Sequence, residues 1–261
     1  MVSAGLRDGL AARLAAAERS GVPIGPLTTE HPGLDVVDAY EIQLINIRRR
    51  VRSGARVVGH KVGLSSLAMQ AMMGVDEPDY GHLLDDMELS PDRPVRTADY
   101  LCPRVEVEVA FLLGADLPGA DCTEADVLAG TAAFAPALEL IDSRIENWSI
   151  RLCDTIADNA SSAGYVLGRE RVAPGDIDIT AIEAVLSRDG NEVARGRSDA
   201  VLGNPATAVA WLARTVDRFG VRLRAGDVVL PGSCTRAIDV LPGSEFTADF
   251  AGLGAVGLRF E

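Results

Sequence analysis

Apolar positions recur at helical spacing through the first third of the chain and in short alternating runs after it. Leu6, Leu10 and Leu14 fall four residues apart in an alanine-rich stretch, predicting a helix that stops at Gly21-Val22-Pro23. Asp35 reads as the N-cap of a second helix bearing Val37, Tyr40, Leu44 and Val51, with Arg48, Arg49 and Arg50 near its negative pole. The run Val57 to Leu64 is apolar and glycine-flanked, as a buried strand would be, and Ser65 is placed to cap a short helix rich in Met69, Met72 and Met73. From about residue 100 the texture becomes strand and turn. Val105, Val107 and Val109 alternate with Glu106 and Glu108, and Ala135 to Ile141 forms another candidate strand. Asp189-Gly190 signals a hairpin, Asn204-Pro205 opens a helix, and the stretch from Gly226 to Phe260 reads as a glycine-punctuated β meander. The pattern predicts an α+β chain: an N-terminal, mainly helical lobe over residues 1–80, packed on a mixed β-roll over 81–261. Pro78, Pro91, Pro94 and dense acidic residues mark the 75–100 region as an irregular boundary.

Composition narrows the function classes. With 261 residues, 48% of them hydrophobic, the chain can bury a sizeable core. A net charge of −13 argues against nucleic acid or an anionic membrane as partners. There is no uninterrupted apolar run of membrane-spanning length and no basic region followed by an apolar block, so a cytoplasmic protein is expected. Cys102, Cys122, Cys153 and Cys234 show no paired spacing and are expected as reduced, structural thiols.

Charge also isolates one residue. Lys61 is the sole lysine among 25 basic residues. A lysine kept where arginine serves at every other cationic position suggests a need for a compact ammonium with rotatable donors. It lies in the apolar Val57–Leu64 run, where an unpaired cation is costly and an anionic partner is expected. Glu106 and Glu108, two apart in a strand, project from one face while valines fill the other. Repelling carboxylates on that face suit either a solvated edge or a site. Glu139, inside an apolar strand, favours the site: three carboxylates with no His or Cys make a hard-oxygen centre for Mg²⁺ or Mn²⁺. His31, His60 and His82 have no metal spacing, and His60 should point away from Lys61 as a structural residue.

Several motifs in one order carry a resemblance that covers nearly the whole chain. They are Gly59-His60-Lys61-Val62-Gly63-Leu64, Gly74 through Gly81, Glu106-x-Glu108, Glu139-x-x-Asp142-Ser143-Arg144, Asp158-Asn159-Ala160-Ser161-Ser162 and Leu230-Pro231-Gly232-Ser233. Together they resemble the 2-hydroxypenta-2,4-dienoate (vinylpyruvate) hydratases, grouped with the 4-oxalocrotonate decarboxylases in the fumarylacetoacetate hydrolase superfamily. Tyr40-Glu41-Ile42-Gln43 and the Asp158 run are most similar to hydratases of bacterial steroid-ring degradation. The resemblance implies a divalent metal on Glu106, Glu108 and Glu139, catalytic roles for Lys61, Asp79 and Ser161, and substrate contacts from Lys61, Leu64 and Ser161. Taken alone, Asp79 reads as a turn residue and Ser161 as a cap, while Asp158 and Asn159 read as caps for backbone amides. The resemblance further implies a homo-oligomer, pentamer or decamer, and association with a downstream aldolase.

The expected reaction adds water to a 2-hydroxy-2,4-dienoate and yields a 4-hydroxy-2-oxo acid in aromatic or steroid ring catabolism. The metal and Lys61 would stabilise an enolate on the substrate. Asp79 and the metal-bound glutamates are the candidates for activating the water. A 2-oxo acid decarboxylase would use the same centre and release CO₂, a C–C hydrolase would need a dedicated base, and a non-catalytic scaffold for a partner enzyme would show no metal dependence.

Overall fold

The computed structural model describes residues 1–66, 70–71 and 74–261. Helix α1 (Ala4–Ser20) opens on Ser3, whose hydroxyl accepts from the Leu6 N–H, and ends on Gly21 at φ 65°, the left-handed cap that glycine adopts without steric penalty. Leu10 and Leu14 are buried on its inner face. The single turn α2 (Leu27–Glu30) precedes α3 (Val36–Arg52), which starts at a capping box between Asp35 and Asp38. Tyr40, Leu44 and Ile47 form its buried face. Val37 and Val51, expected on that same face, are 47% and 44% exposed; they occupy the helix's two end turns. Of the helix expected after Ser65, Gln70 and Ala71 are helical, while Met69, Met72 and Met73 lie outside the described residues.

The strands, in chain order, are β1 (Val57–Gly63), β2 (Asp79–Leu84), β3 (Arg104–Leu113), β4 (Thr131–Ile141), β5 (Ser162–Leu167), β6 (Glu183–Arg188), β7 (Asn191–Arg197), β8 (Val228–Leu230), β9 (Ile238–Asp239), β10 (Glu245–Phe250) and β11 (Gly254–Arg259). Helices α4 (Glu124–Gly130), α5 (Leu152–Ala157) and α6 (Pro205–Asp217) are interleaved with them. One sheet runs β2-β1-β8-β3-β4-β5, with β9 also on β3; the other runs β11-β10-β6-β7. In the first sheet only β1 and β8 pair in parallel. The sheet is therefore mixed, as expected, and not doubly wound.

Two expectations change. The 75–100 region is not simply irregular: it contains β2, an edge strand with all six residues buried. A strand covered on both faces shows no alternation, so periodicity could not announce it. The C-terminal stretch is not one meander either. Its first strand, β8, leaves β10 and β11 and inserts between β1 and β3.

The valine face of β3 meets the core. Val105, Val107 and Val109 are at most 1% exposed and share a cluster with Leu138 and Leu140, while Phe111 and Phe134 pack edge to face at 4.8 Å. His60 and His82, directly opposed across β1 and β2, pack at a tilt of 52° on the face turned away from Lys61 with ring centres 4.8 Å apart. Gln43 donates its amide to the carbonyls of Tyr80 and Ile156, which leaves its Oε1 to accept from His82 Nδ1 at 2.9 Å. His82 is thus fixed as the Nδ1–H tautomer. Burial depresses both rings, His82 to about 4 and His60 well below its ordinary value. All four cysteines are free thiols. Among the described residues no helix is long and apolar enough to cross a membrane.

Candidate metal centre and active site

Strand register assembles the cationic half of the site. Lys61 pairs with Gly81 and Gly63 with Asp79, so these four residues share one face of the β1–β2 pair. The two glycines make room. A Cβ on Gly63 would lie 2.1 Å from Asp79 Oδ1, and one on Gly81 would lie 2.4 Å from the Asn159 carbonyl oxygen. The first gap admits the Asp79 carboxylate and the second admits the 159–161 turn. Lys61, 3% exposed, donates from Nζ to the Ala160 carbonyl at 3.0 Å and lies 3.4 Å from Glu139 Oε2. Leu64 follows β1 at φ 52° and is half-buried, its carbonyl accepting from Gln70 Nε2.

The anionic half comes from β3 and β4. Glu106 and Glu139 are directly opposed across the two strands, and Glu108 lies opposite Ala137, a side chain too small to fill the space. Glu108 and Glu139 are fully buried and Glu106 is half-buried. Their ligand atoms all lie within 4.8 Å of one another, and among the described residues these three form the one acidic, His or Cys cluster close enough to hold an ion. Gly232, in the turn after β8, donates its N–H to Glu108 Oε2 at 2.7 Å and aims that carboxylate. Ser233 and Cys234 hold the turn on Val107 of β3.

The electrostatics are those of a charge cluster short of cations. Burial pushes Glu106 up to about 7, Lys61 opposing and Glu139 adding to the rise. Burial, with Glu139 and Glu106, pushes Glu108 well above the carboxylate range. Asp79 is raised by burial, which Lys61 offsets only in part. Burial alone would depress Lys61; Glu139, Glu106, Asp79 and Glu108 more than reverse it and keep the ammonium charged. Glu108 Oε1, Glu139 Oε1, both Asp79 oxygens and the Ser161 hydroxyl are buried without a hydrogen-bond partner. Such groups cost roughly 1–3 kcal/mol each when left unmet. Three convergent carboxylates with spare oxygens and no nitrogen or sulfur donor match Mg²⁺, Mn²⁺ or Ca²⁺.

The structure thus brings Lys61, Asp79, Glu106, Glu108, Glu139 and the 159–161 turn to one place. Reading single residues reached Lys61 and the three glutamates, whereas Asp79 and Ser161 came through motif likeness. Asp79 is the first residue of β2, not a turn residue. Asp158 and Asn159 do accept from backbone amides, those of Arg144 and His82. The Ala160 carbonyl and the Gly232 N–H were missed, since a backbone group carries no side-chain signature.

Comparisons with known proteins place the chain among relatives. Residues 81–261 match the fumarylacetoacetate (FAA) hydrolase C-terminal family. A 2-keto-4-pentenoate hydratase of Paraburkholderia xenovorans is 44% identical over 98% of this chain and 95% of its own length. A 2-hydroxyhexa-2,4-dienoate hydratase of Comamonas testosteroni is 41% identical, covering 95% of each chain. Among solved structures, the 4-oxalocrotonate decarboxylase of Pseudomonas putida, complexed with magnesium and adipate, superposes with a TM-score of 0.96 at 34% identity over 100% of this chain and 99% of that one. The chain belongs to the fumarylacetoacetate hydrolase family.

Proposed function

We propose that this chain is a divalent-metal-dependent hydratase that converts a 2-hydroxy-2,4-dienoate into a 4-hydroxy-2-oxo acid in aromatic ring catabolism. The observation that carries the proposal is the buried Glu106-Glu108-Glu139 cluster facing a buried Lys61, in a chain so similar along its length to named hydratases. Glu106, Glu108 and Glu139 would hold a Mg²⁺ or Mn²⁺ ion, which would supply Lewis-acid polarisation of the substrate. The chain's own residues do the rest. The substrate ketonises as its C2 hydroxyl loses a proton and C5 gains one. Hydroxide then adds at C4 and a proton at C3. Lys61 places a fixed ammonium against the negative charge that grows on the C2 oxygen. Ser161, its hydroxyl buried and unpartnered, donates to a substrate oxygen. Asp79, unpartnered and raised by burial, takes the proton of the water adding at C4 and returns it at C3. Leu64 borders the substrate beside Lys61.

A second reading, decarboxylation of a 4-oxalocrotonate-type acid, is favoured by the structural match at a TM-score of 0.96. One experiment separates the two. The purified chain is given 2-hydroxypenta-2,4-dienoate or a 4-oxalocrotonate-type acid with Mg²⁺, and products and CO₂ are identified. Loss of dienoate absorbance, abolished by EDTA and restored by Mg²⁺, with a 4-hydroxy-2-oxo acid as product, is the expected result. CO₂ from the diacid with no hydration of the dienoate overturns it. The proposal extends to a cytoplasmic homo-oligomer, which sedimentation as a monomer at micromolar concentration would contradict. It also extends to a dienoate from steroid-ring cleavage, for which kcat/KM should rise with tail length.

A further inference from the structure

Asn159, Ala160 and Ser161 are three consecutive non-glycine residues with positive φ, 57°, 50° and 55°. L-residues visit this left-handed region singly and at a cost, so a run of three persists only where the surroundings impose it. Both ends of the run are tied. Upstream, the Asp158 carboxylate accepts from the Arg144 backbone N–H at 2.9 Å and from Arg144 Nε at 2.5 Å. The remaining Arg144 nitrogens donate to the carbonyls of Asp142, Ser162 and Asp158. At the run itself, Asn159 Oδ1 accepts from the His82 N–H at 2.8 Å and Asn159 Nδ2 donates to the His82 carbonyl at 3.0 Å. A single side chain thus satisfies both backbone groups of His82 on β2, the edge strand of the sheet, as a neighbouring strand would. Gly81, adjacent, lets the Asn159 backbone come this close. The result is felt over the next two residues: the Ala160 carbonyl meets Lys61 Nζ at 3.0 Å, and the Ser161 hydroxyl is held buried with no partner in the protein.

We infer that Asn159 is a positioning residue for Lys61 and Ser161, clipping the left-handed turn onto β2 so that the Ala160 carbonyl and the Ser161 hydroxyl are fixed before substrate arrives. The inference rests on the assignment of Lys61 and Ser161 to the active site. The side-chain requirements are narrow. Glycine accepts the backbone but cannot clip, aspartate offers the acceptor without the donor, and alanine offers no clip and adopts this backbone only at a cost.

The sole lysine makes the test direct, because Lys61 is the one lysine to acylate and, in a protein prepared to begin at Met1, the terminal amine serves as the internal control. Wild type, Asn159→Gly and Asn159→Asp are treated with acetic anhydride without substrate or metal, and acetylation at Lys61 and at Met1 is read separately by peptide mass spectrometry. Asn159→Gly should raise Lys61 labelling at least ~10-fold with Met1 unchanged and lower kcat by ~10–100-fold with KM changed less, while keeping the wild-type circular dichroism. Asn159→Asp should fall between the two and decides the matter if the glycine variant does not fold. If the turn needed only backbone tolerance, Asn159→Gly would label and turn over like wild type; that outcome overturns the inference. Labelling needs no turnover, so a chain inactive on dienoates would sink the hydratase proposal and leave the labelling comparison standing.

Discussion

Lys61 shows how a single position constrains chemistry. Its ammonium sits between the Ala160 carbonyl and Glu139, nearly without solvent. Arginine keeps the charge but brings a planar fork too wide for a space bounded by Gly63 and Asp79. Lys61→Arg and Lys61→Ala should each lower kcat/KM by at least ~10²-fold, about 2.7 kcal/mol of transition-state stabilisation. Metal affinity in Lys61→Ala should hold or rise, since a neighbouring cation opposes the ion. Steady-state kinetics with metal titration decide it, and wild-type turnover by the arginine variant would remove Lys61 from the site. Glu108 has the opposite profile. Fully buried beside two carboxylates, it is a liability to the metal-free protein. Glu108→Gln should therefore raise the Tm of the metal-free chain and abolish the further rise that Mg²⁺ gives the wild type. A metal-free Tm equal to or below wild type would show that the cluster carries little repulsion.

At the scale of elements, the β1–β2 pair separates two chemistries by the period of a strand. Lys61, Gly63, Asp79 and Gly81 face the carboxylates, while His60, Val62, Tyr80 and His82 face the other way. The missing side chain at Gly63 is what admits Asp79. Gly63→Ala should push that carboxylate aside, lowering kcat at least ~10-fold with Mg²⁺ affinity within ~3-fold, and should cost about 1–3 kcal/mol of stability through overpacking. Urea unfolding and magnesium titration measure the two effects apart. Unchanged kcat would show that Asp79 takes no part in turnover. The turn after β8 performs a similar service for β3, where Gly232, at φ 123°, aims Glu108.

At the scale of the whole molecule, the buried histidines add a pH-dependent share of stability. His82 is held at about 4 and His60 is also depressed, against about 6.5 for an unfolded histidine. Between these values each histidine takes up a proton more readily in the unfolded chain, so its own contribution to stability, complete above pH 7, is lost as pH falls through 6.5 toward 4, while the raised Glu106 and Glu108 work in the opposite direction in the metal-free chain. His82 alone accounts for about 2 kcal/mol between pH 7 and pH 5. The stability difference between wild type and His82→Gln, from urea unfolding at pH 7, 6 and 5, should shift by this amount against the wild type as pH falls; a difference that does not change with pH would place the acid sensitivity elsewhere.

The sequence by itself determined the local elements and the identity of the charged groups. Asp35 and Asn204 start helices, Asp189-Gly190 turns a hairpin, and the Val105-Glu106-Val107-Glu108 alternation assigns one face to the core and one to carboxylates. These features depend on neighbours within a few residues, which a linear reading can reach. Tertiary structure decided what lies across strands. The buried edge strand β2 carries no periodic signature, β8 leaves its sequence neighbours for another sheet, and Asp79 comes beside Lys61 because Gly63 stands opposite it. The Ala160 carbonyl reaches Lys61 across 99 positions of sequence. That contact depends on strand register and on a left-handed turn fastened to β2, and register is fixed only when the sheet closes over its core.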